Sequence, residues 1–210
     1  MNKEIIRESR VLIVDDKPAN AALMEKILRQ AGYLHFTSIH DSREVVDQLR
    51  TFRPDLIVLD LMMPHVDGFG VMTQLRGYIP DETYLPILVI TADVSKPARE
   101  RALSLGAKDF LTKPVDTTEA ALRIYNLLET RWLYQQIQER NKLLMEQVGI
   151  SRERLAAASV ELDRLASAGV PATQLAIVRT CVAKAVESVE QIGKNGDTSE
   201  QAVELAAALD

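Results

Sequence analysis

At 210 residues the chain can hold one ample core, or a standard domain with an appendage. Its 47% apolar and 26% charged composition is that of an ordinary soluble protein, and a net charge of −5 has the wrong sign for non-specific nucleic-acid binding. The lone Cys181 excludes an intrachain disulfide, residues 1–10 (MNKEIIRESR) lack an apolar signal core, and no apolar run reaches the roughly 18 residues of a membrane span, so a cytoplasmic protein is expected.

Residues 10 to 115 alternate short apolar runs with amphipathic stretches. The runs Val11–Val14, Phe36–Ile39, Leu56–Leu59, Ile87–Ile90 and Phe110–Leu111 predict five strands, and stretches near 19–31, 43–52, 67–77 and 97–105 predict helices between them. Asp41-Ser-Arg-Glu44 reads as a capping box, and Gly32 and Gly106 stand where C-terminal caps belong. Parallel strands need crossovers, so this alternation predicts a five-stranded, doubly wound parallel α/β sheet. The central runs are apolar throughout, as in strands covered on both faces.

After Pro114 the pattern becomes all-α. Asp116-Thr-Thr-Glu119 is a second capping box, and neither proline nor glycine follows until Gly149. Tyr134, Ile137, Asn141, Leu144, Val148, Ser151, Leu155, Ala158, Leu162 and Leu165 keep alternating steps of three and four, with Asn141 at an a position, a device that fixes register. The stretch reads either as a dimeric coiled coil or as a long amphipathic helix folded on its own chain. Gly149 and the sparse charges flanking the stripe weaken the first reading. Gly169-Val-Pro171 breaks the chain, and Leu175, Val178, Val182, Ala185, Val189 and Ile192 resume the spacing. Gly193 to Gly196 are expected to interrupt it, with Asp197-Thr-Ser-Glu200 capping a last helix, while Cys181 is expected to be a small buried hydrophobe. The divisions expected are 1–125, an α/β domain; 126–168, a long connector helix; and 169–210, a helical hairpin.

The chemistry gathers where the runs end. Asp60 closes the third run, Asp15 and Asp16 follow the first, Lys113-Pro114 follows the fifth and Thr91 follows the fourth. All would meet at the carboxyl edge of the sheet, where open α/β folds place their sites. Three close carboxylates cannot all stay ionised without a cation, and a hard divalent ion with oxygen ligands such as Mg2+ suits them. A carboxylate can then attack a phosphoryl group once the charge between the two anions is neutralised.

Taken together, VLIVDD at 11–16, LIVLDLMMPHVDGFG at 56–70, PILVITA at 86–92 and DFLTKP at 109–114 resemble the receiver domain of bacterial two-component response regulators over residues 10 to about 125. The resemblance implies a flavodoxin-like fold, with Asp60 as phosphoacceptor and Mg2+ held by Asp16, Asp60, the Met62 backbone carbonyl and, mainly through water, Asp15. It also implies Lys113 as the cation paired with the aspartates and then the phosphoryl group, usually joined to Pro114 by a cis bond. Thr91 takes the switch hydroxyl position, and Phe110 stands where the family has an aromatic switch, often tyrosine. His35, His40 and His65 all lie in the receiver half, His65 is read as a surface-loop residue without a part in proton transfer, and no later histidine could make the tail a phosphotransfer module.

RIYNLLETRWLYQQIQERNKLL at 123–144 resembles the connector of regulators whose output is an HD-GYP-type cyclic-di-GMP phosphodiesterase, but neither a His-Asp pair nor Gly-Tyr-Pro follows. Residues 118–210 carry 13 acidic against 10 basic residues, which disfavours a DNA-binding end. The expectation is a non-enzymatic signalling protein, apart from its own phosphorylation and slow autodephosphorylation. Its partners would be a sensor histidine kinase or phosphotransfer protein, a second copy bound through residues 126–168, and an unnamed downstream protein, with no nucleic acid and no membrane. A regulatory fragment of a cyclic-di-GMP phosphodiesterase is the alternative, and a DNA-binding regulator a more distant one.

Overall fold

The computed structural model describes residues 2–80, 83–93 and 95–207, with side chains described as far as residue 191. It divides into two units, Met1–Gln135 and Gln136–Asp210. In the first unit the strands are β1 (Arg10–Val14), β2 (His35–Ile39), β3 (Leu56–Asp60), β4 (Ile87–Thr91) and β5 (Asp109–Thr112). The helices are α1 (Lys3–Glu8), α2 (Pro18–Ala31), α3 (Val45–Thr51), α4 (Gly68–Arg76) and α5 (Lys96–Ser104). α6 (Thr117–Ser167) begins in this unit, and α7 (Ala172–Ala207) lies wholly in the second.

All five strands run parallel in the order β2-β1-β3-β4-β5. Side chains alternate across a strand, so each run feeds two cores. Ile13, Val58 and Ile90 face Met24 and Leu28 of α2 and Ile124 and Leu128 of α6. Leu12, Ile57 and Val89 face Val45 of α3, Met72 and Leu75 of α4 and Ala102 of α5. This two-sided burial is why the runs read as continuously apolar. The chain leaves β1 toward β2 on one side, while β3 pairs with β1 on the other. The carboxyl ends of β1 and β3 therefore flank the crevice where the strand order reverses.

Local signals set the helix ends. Pro18 opens α2, and Gly32, at φ 92°, closes it in the left-handed region that glycine adopts freely. Asp67 caps α4 by accepting from the Gly70 N–H, Ser95 caps α5, and Asp116 Oδ1 accepts from the Glu119 N–H at 2.7 Å before α6. At Asp41 the expected box is instead a short 3-10 turn, Ser42–Glu44, because the Asp41 carboxylate binds the Arg43 N–H and guanidinium. Helix α1 was not foreseen; it buries Ile5 in the first core, and the Asn2 N–H donates to the Tyr125 hydroxyl.

The first unit extends ten residues beyond the expected boundary at 125, because α6 stays engaged with the sheet domain. Arg131 Nε donates to Asp55 Oδ1 at 2.9 Å, its Nη1 donates to the Tyr84 carbonyl, and Trp132 packs on the first core. Tyr33, only 2% exposed, is buried with its hydroxyl unpartnered among the described residues, and burial, with the neighbouring Tyr125, pushes that hydroxyl's pKa far up. Tyr33→Phe removes an unsatisfied polar group and should raise unfolding stability by about 1 kcal/mol in a denaturant titration.

Two expectations for the tail are corrected. α7 runs unbroken through Gly193 and Gly196, so the described residues after Pro171 form one helix and not the expected hairpin, while α6 spans the expected connector and continues through Gly149. Mid-helix glycine costs about 1 kcal/mol against alanine, which long flanking helices absorb, whereas proline would stop them. The hairpin is made by α6 and α7 around Gly169, at φ 89°. Their antiparallel course brings Arg179 Nη2 to 2.9 Å from Asp163 Oδ1. Cys181 is exposed, not buried, since Leu175, Val182 and Ala185 take the inward positions. The side chains of Ile192, Asp197 and Glu200 lie outside the described residues.

Candidate functional site

Every site residue foreseen at the carboxyl edge lies in the first unit, and most meet in one cluster. Asp15 and Asp60 are 6% and 3% exposed, a burial that a carboxylate tolerates only when paired and hydrogen-bonded. Both are satisfied by one ammonium: Lys113 Nζ donates to Asp15 Oδ2 at 2.9 Å and to Asp60 Oδ2 at 2.7 Å. The second oxygen of Asp15 accepts from the Lys17 N–H at 2.9 Å and from Asn20 Nδ2 at 3.1 Å. That of Asp60 accepts from the Met62 N–H at 3.3 Å.

Asp16 differs from both. Its Oδ1 is buried without any partner among the described residues, and carboxylate oxygens of Asp15, Asp16 and Asp60 all lie within 4.8 Å of one another. An orphaned carboxylate oxygen beside two others is an all-oxygen donor set, the chemistry a hard divalent cation needs. The residues present therefore fit Mg2+. Lys113 feels two opposed influences. Burial pulls its ammonium down, but the hydrogen bonds and charges of Asp60 and Asp15 together hold it above the ordinary lysine value.

The remaining positions surround this group. Thr91, 2% exposed, ends β4, and its hydroxyl oxygen accepts from the Asp93 N–H at 3.1 Å, which leaves its own proton free to donate. The Lys113–Pro114 peptide is cis. Met62 has an exposed side chain on the loop after β3. That loop folds tightly because a Cβ on Gly68 would stand 2.5 Å from the Asp60 carbonyl oxygen. Phe110 is half-buried, and the Arg99 guanidinium lies 3.6 Å from its ring centroid.

Two supporting residues escaped the sequence reading. Asn20 sits one turn into α2, and only its amide four residues after the acidic pair hinted at its bond to Asp15. His40 Nδ1 lies 2.9 Å from the Asp15 carbonyl oxygen, so the β2–α3 loop braces the acidic loop. No sequence signal marked it. His35 and His65 are exposed, and His65 adopts φ 66°.

Comparison with known proteins gives the same reading. Residues 11–125 match the family model described as the response regulator receiver domain. Response regulator MprA of Mycobacterium tuberculosis is 42% identical over 119 residues, 57% of this chain and 50% of that protein. Response regulator PleD of Caulobacter vibrioides is 33% identical over 157 residues, 75% of this chain and 33% of that protein. A solved structure of a putative response regulator from Chloroflexus aurantiacus superposes with a TM-score of 0.54 at 32% identity, covering 58% of this chain and 98% of the other. The chain spans half or less of the length of these curated relatives.

A parallel five-stranded sheet carrying a buried Asp-Lys-Asp bridge at its switch point is thus the receiver architecture of two-component signalling. The chain belongs to the response regulator receiver domain family through residues 11–125. Among the described residues no helix is long and apolar enough to cross a membrane.

Proposed function

We propose that this chain accepts a phosphoryl group on Asp60 from a partner histidine kinase or phosphotransfer protein, and signals through its helical, self-associating C-terminal region. The observation that carries the proposal is the pairing of one ammonium with two buried carboxylates beside the unpartnered oxygen of Asp16. Asp16 and Asp60, with the Met62 carbonyl, would hold Mg2+ directly, and Asp15 would act from behind, because its oxygens already serve Lys17, Asn20 and Lys113. Bound Mg2+ would neutralise the equatorial phosphoryl oxygens as two anions approach.

The rest of the step belongs to the protein. An Asp60 carboxylate oxygen attacks phosphorus; the phosphorus–nitrogen bond of a phosphohistidine, or the phosphorus–oxygen bond of an acyl phosphate, breaks, and the leaving group keeps the electron pair. Lys113 moves its donation from the Asp60 carboxylate to a phosphoryl oxygen. The Thr91 hydroxyl donates a hydrogen bond to another phosphoryl oxygen, which draws the end of β4 toward the site. Phe110, which pairs with Val89 on β4 in the sheet register, then responds beneath Arg99. The chain does no chemistry beyond its own phosphorylation and slow dephosphorylation.

Support for self-association comes from α6, where Leu133, Ile137 and Leu144 are at least half exposed. The test of the site is metal dependence. Labelling by a small acyl phosphate should require millimolar Mg2+ and fall at least about tenfold in excess chelator. Undiminished labelling without divalent ions would overturn the assignment.

A further inference from the structure

The second unit has almost no interior of its own. Among its described side chains only Leu162 and Leu175 are buried, while Leu155, Ser159, Val186 and Val189 remain half-buried around an open groove. That groove, of about 690 Å3, is walled by Arg152, Leu155, Ala156 and Ser159 from α6 and by Val186, Val189 and Glu190 from α7. Helices draw most of their stability from packing an apolar face, and two helices alone cannot enclose one. Of the stripe that the sequence offered to a two-stranded coil, Leu155 and Ala158 are half-buried and Leu162 is buried, so part of it is already used within the hairpin.

We infer that the α6–α7 groove is closed by the same groove of a second copy, so that two hairpins form a four-helix bundle. The two lips of the groove carry opposite charges, Arg152 on α6 and Glu190 on α7, and among the described residues neither has an ion-pair or hydrogen-bond partner. A twofold axis through the groove sets each Arg152 against the other copy's Glu190, and the apolar walls of the two copies against each other. Small Ala156 and Ser159 let the helices approach closely. The inference deepens the self-association part of the proposed function and is independent of the chemistry at Asp60.

The test uses the full chain by sedimentation at micromolar concentration. A dimer is expected, and Arg152→Glu or Glu190→Arg alone should weaken it at least tenfold by setting like charges across the axis. An equimolar mixture of the two variants should regain the dimer, because every contact across the axis is then opposite in sign while each chain's own lips stay alike. An intrachain role for the pair would give no such rescue. A monomeric full chain, variants that dimerise undiminished, or a mixture that stays monomeric each overturns the inference.

Should either variant lose helix signal in circular dichroism, the conservative Arg152→Lys chain decides. A zero-length carbodiimide should join position 152 to Glu190 between nitrogen-15-labelled and unlabelled copies, and a link confined to one copy refutes the bundle. Asp60 labelling of every variant, measured in parallel, separates failure of this inference from failure of the phosphoacceptor reading.

Discussion

Asp60→Asn should abolish stable phosphoryl labelling, a fall of about a hundredfold or more under saturating donor and Mg2+. The amide keeps the size and most of the hydrogen-bonding shape of the carboxylate but loses the charge that makes its oxygen a nucleophile. Asp60 has no neighbour ready to substitute: Asp15 has both oxygens committed, and Asp16 stands at the metal position. The variant should fold, because Lys113 retains Asp15 and the side-chain oxygen at position 60 can still accept from its ammonium. Circular dichroism should therefore match the unaltered chain while labelling disappears. Labelling at the original rate would mean that the acceptor lies elsewhere.

Lys113→Met should have the largest effect on stability. The methionine fills a similar volume but strands Asp15 Oδ2 and Asp60 Oδ2, two buried like charges, without the cation they share. Removing one member of a buried, hydrogen-bonded ion pair costs about 3 kcal/mol or more. Unfolding titrations should show this loss in chelator and a partial recovery in millimolar Mg2+, which replaces the missing positive charge. A loss that Mg2+ leaves untouched would break the link between the ammonium and the metal position.

The direction of the Lys113 shift adds a pH dependence. Its folded-state pKa lies above the ordinary 10.5, so its contribution is complete below that pH and is lost only as pH rises through the raised value. Around neutrality the bridge should be insensitive to pH.

How much of this was readable from residues alone follows the physics of each part. The five strands fall within a residue of the expected runs, because a strand buried on both faces must be apolar throughout and bounded by polar turns. Asp15, Asp16, Asp60, Thr91 and Lys113 were legible because each is a polar residue ending such a run. Asn20 and His40 were not, since their roles depend on α2 and the β2–α3 loop folding back to the acidic loop. Helix α1 was missed because six residues are too few to show a periodicity.

The tail shows the opposite bias. Its periodic stripe correctly announced helices, yet the three-four spacing is the same whether the partner is a second copy or the next helix of the same chain. α7 took part of the stripe, and only the hairpin's own geometry reveals that. Glycine was weighed too heavily at Gly193 and Gly196, where a modest cost is spread over a helix of 36 residues. Cys181 was placed inside on its neighbours' character alone, but a two-helix unit has too little interior to take every apolar position.

The central claim is that the phosphoryl group resides on Asp60, and borohydride reduction of the labelled chain followed by peptide mass spectrometry tests it most directly. Reduction converts an aspartyl phosphate to homoserine, so the modified residue should appear at position 60 and require both Mg2+ and donor. Reduction at Asp15, Asp16 or another carboxylate, with position 60 unchanged, would contradict the account.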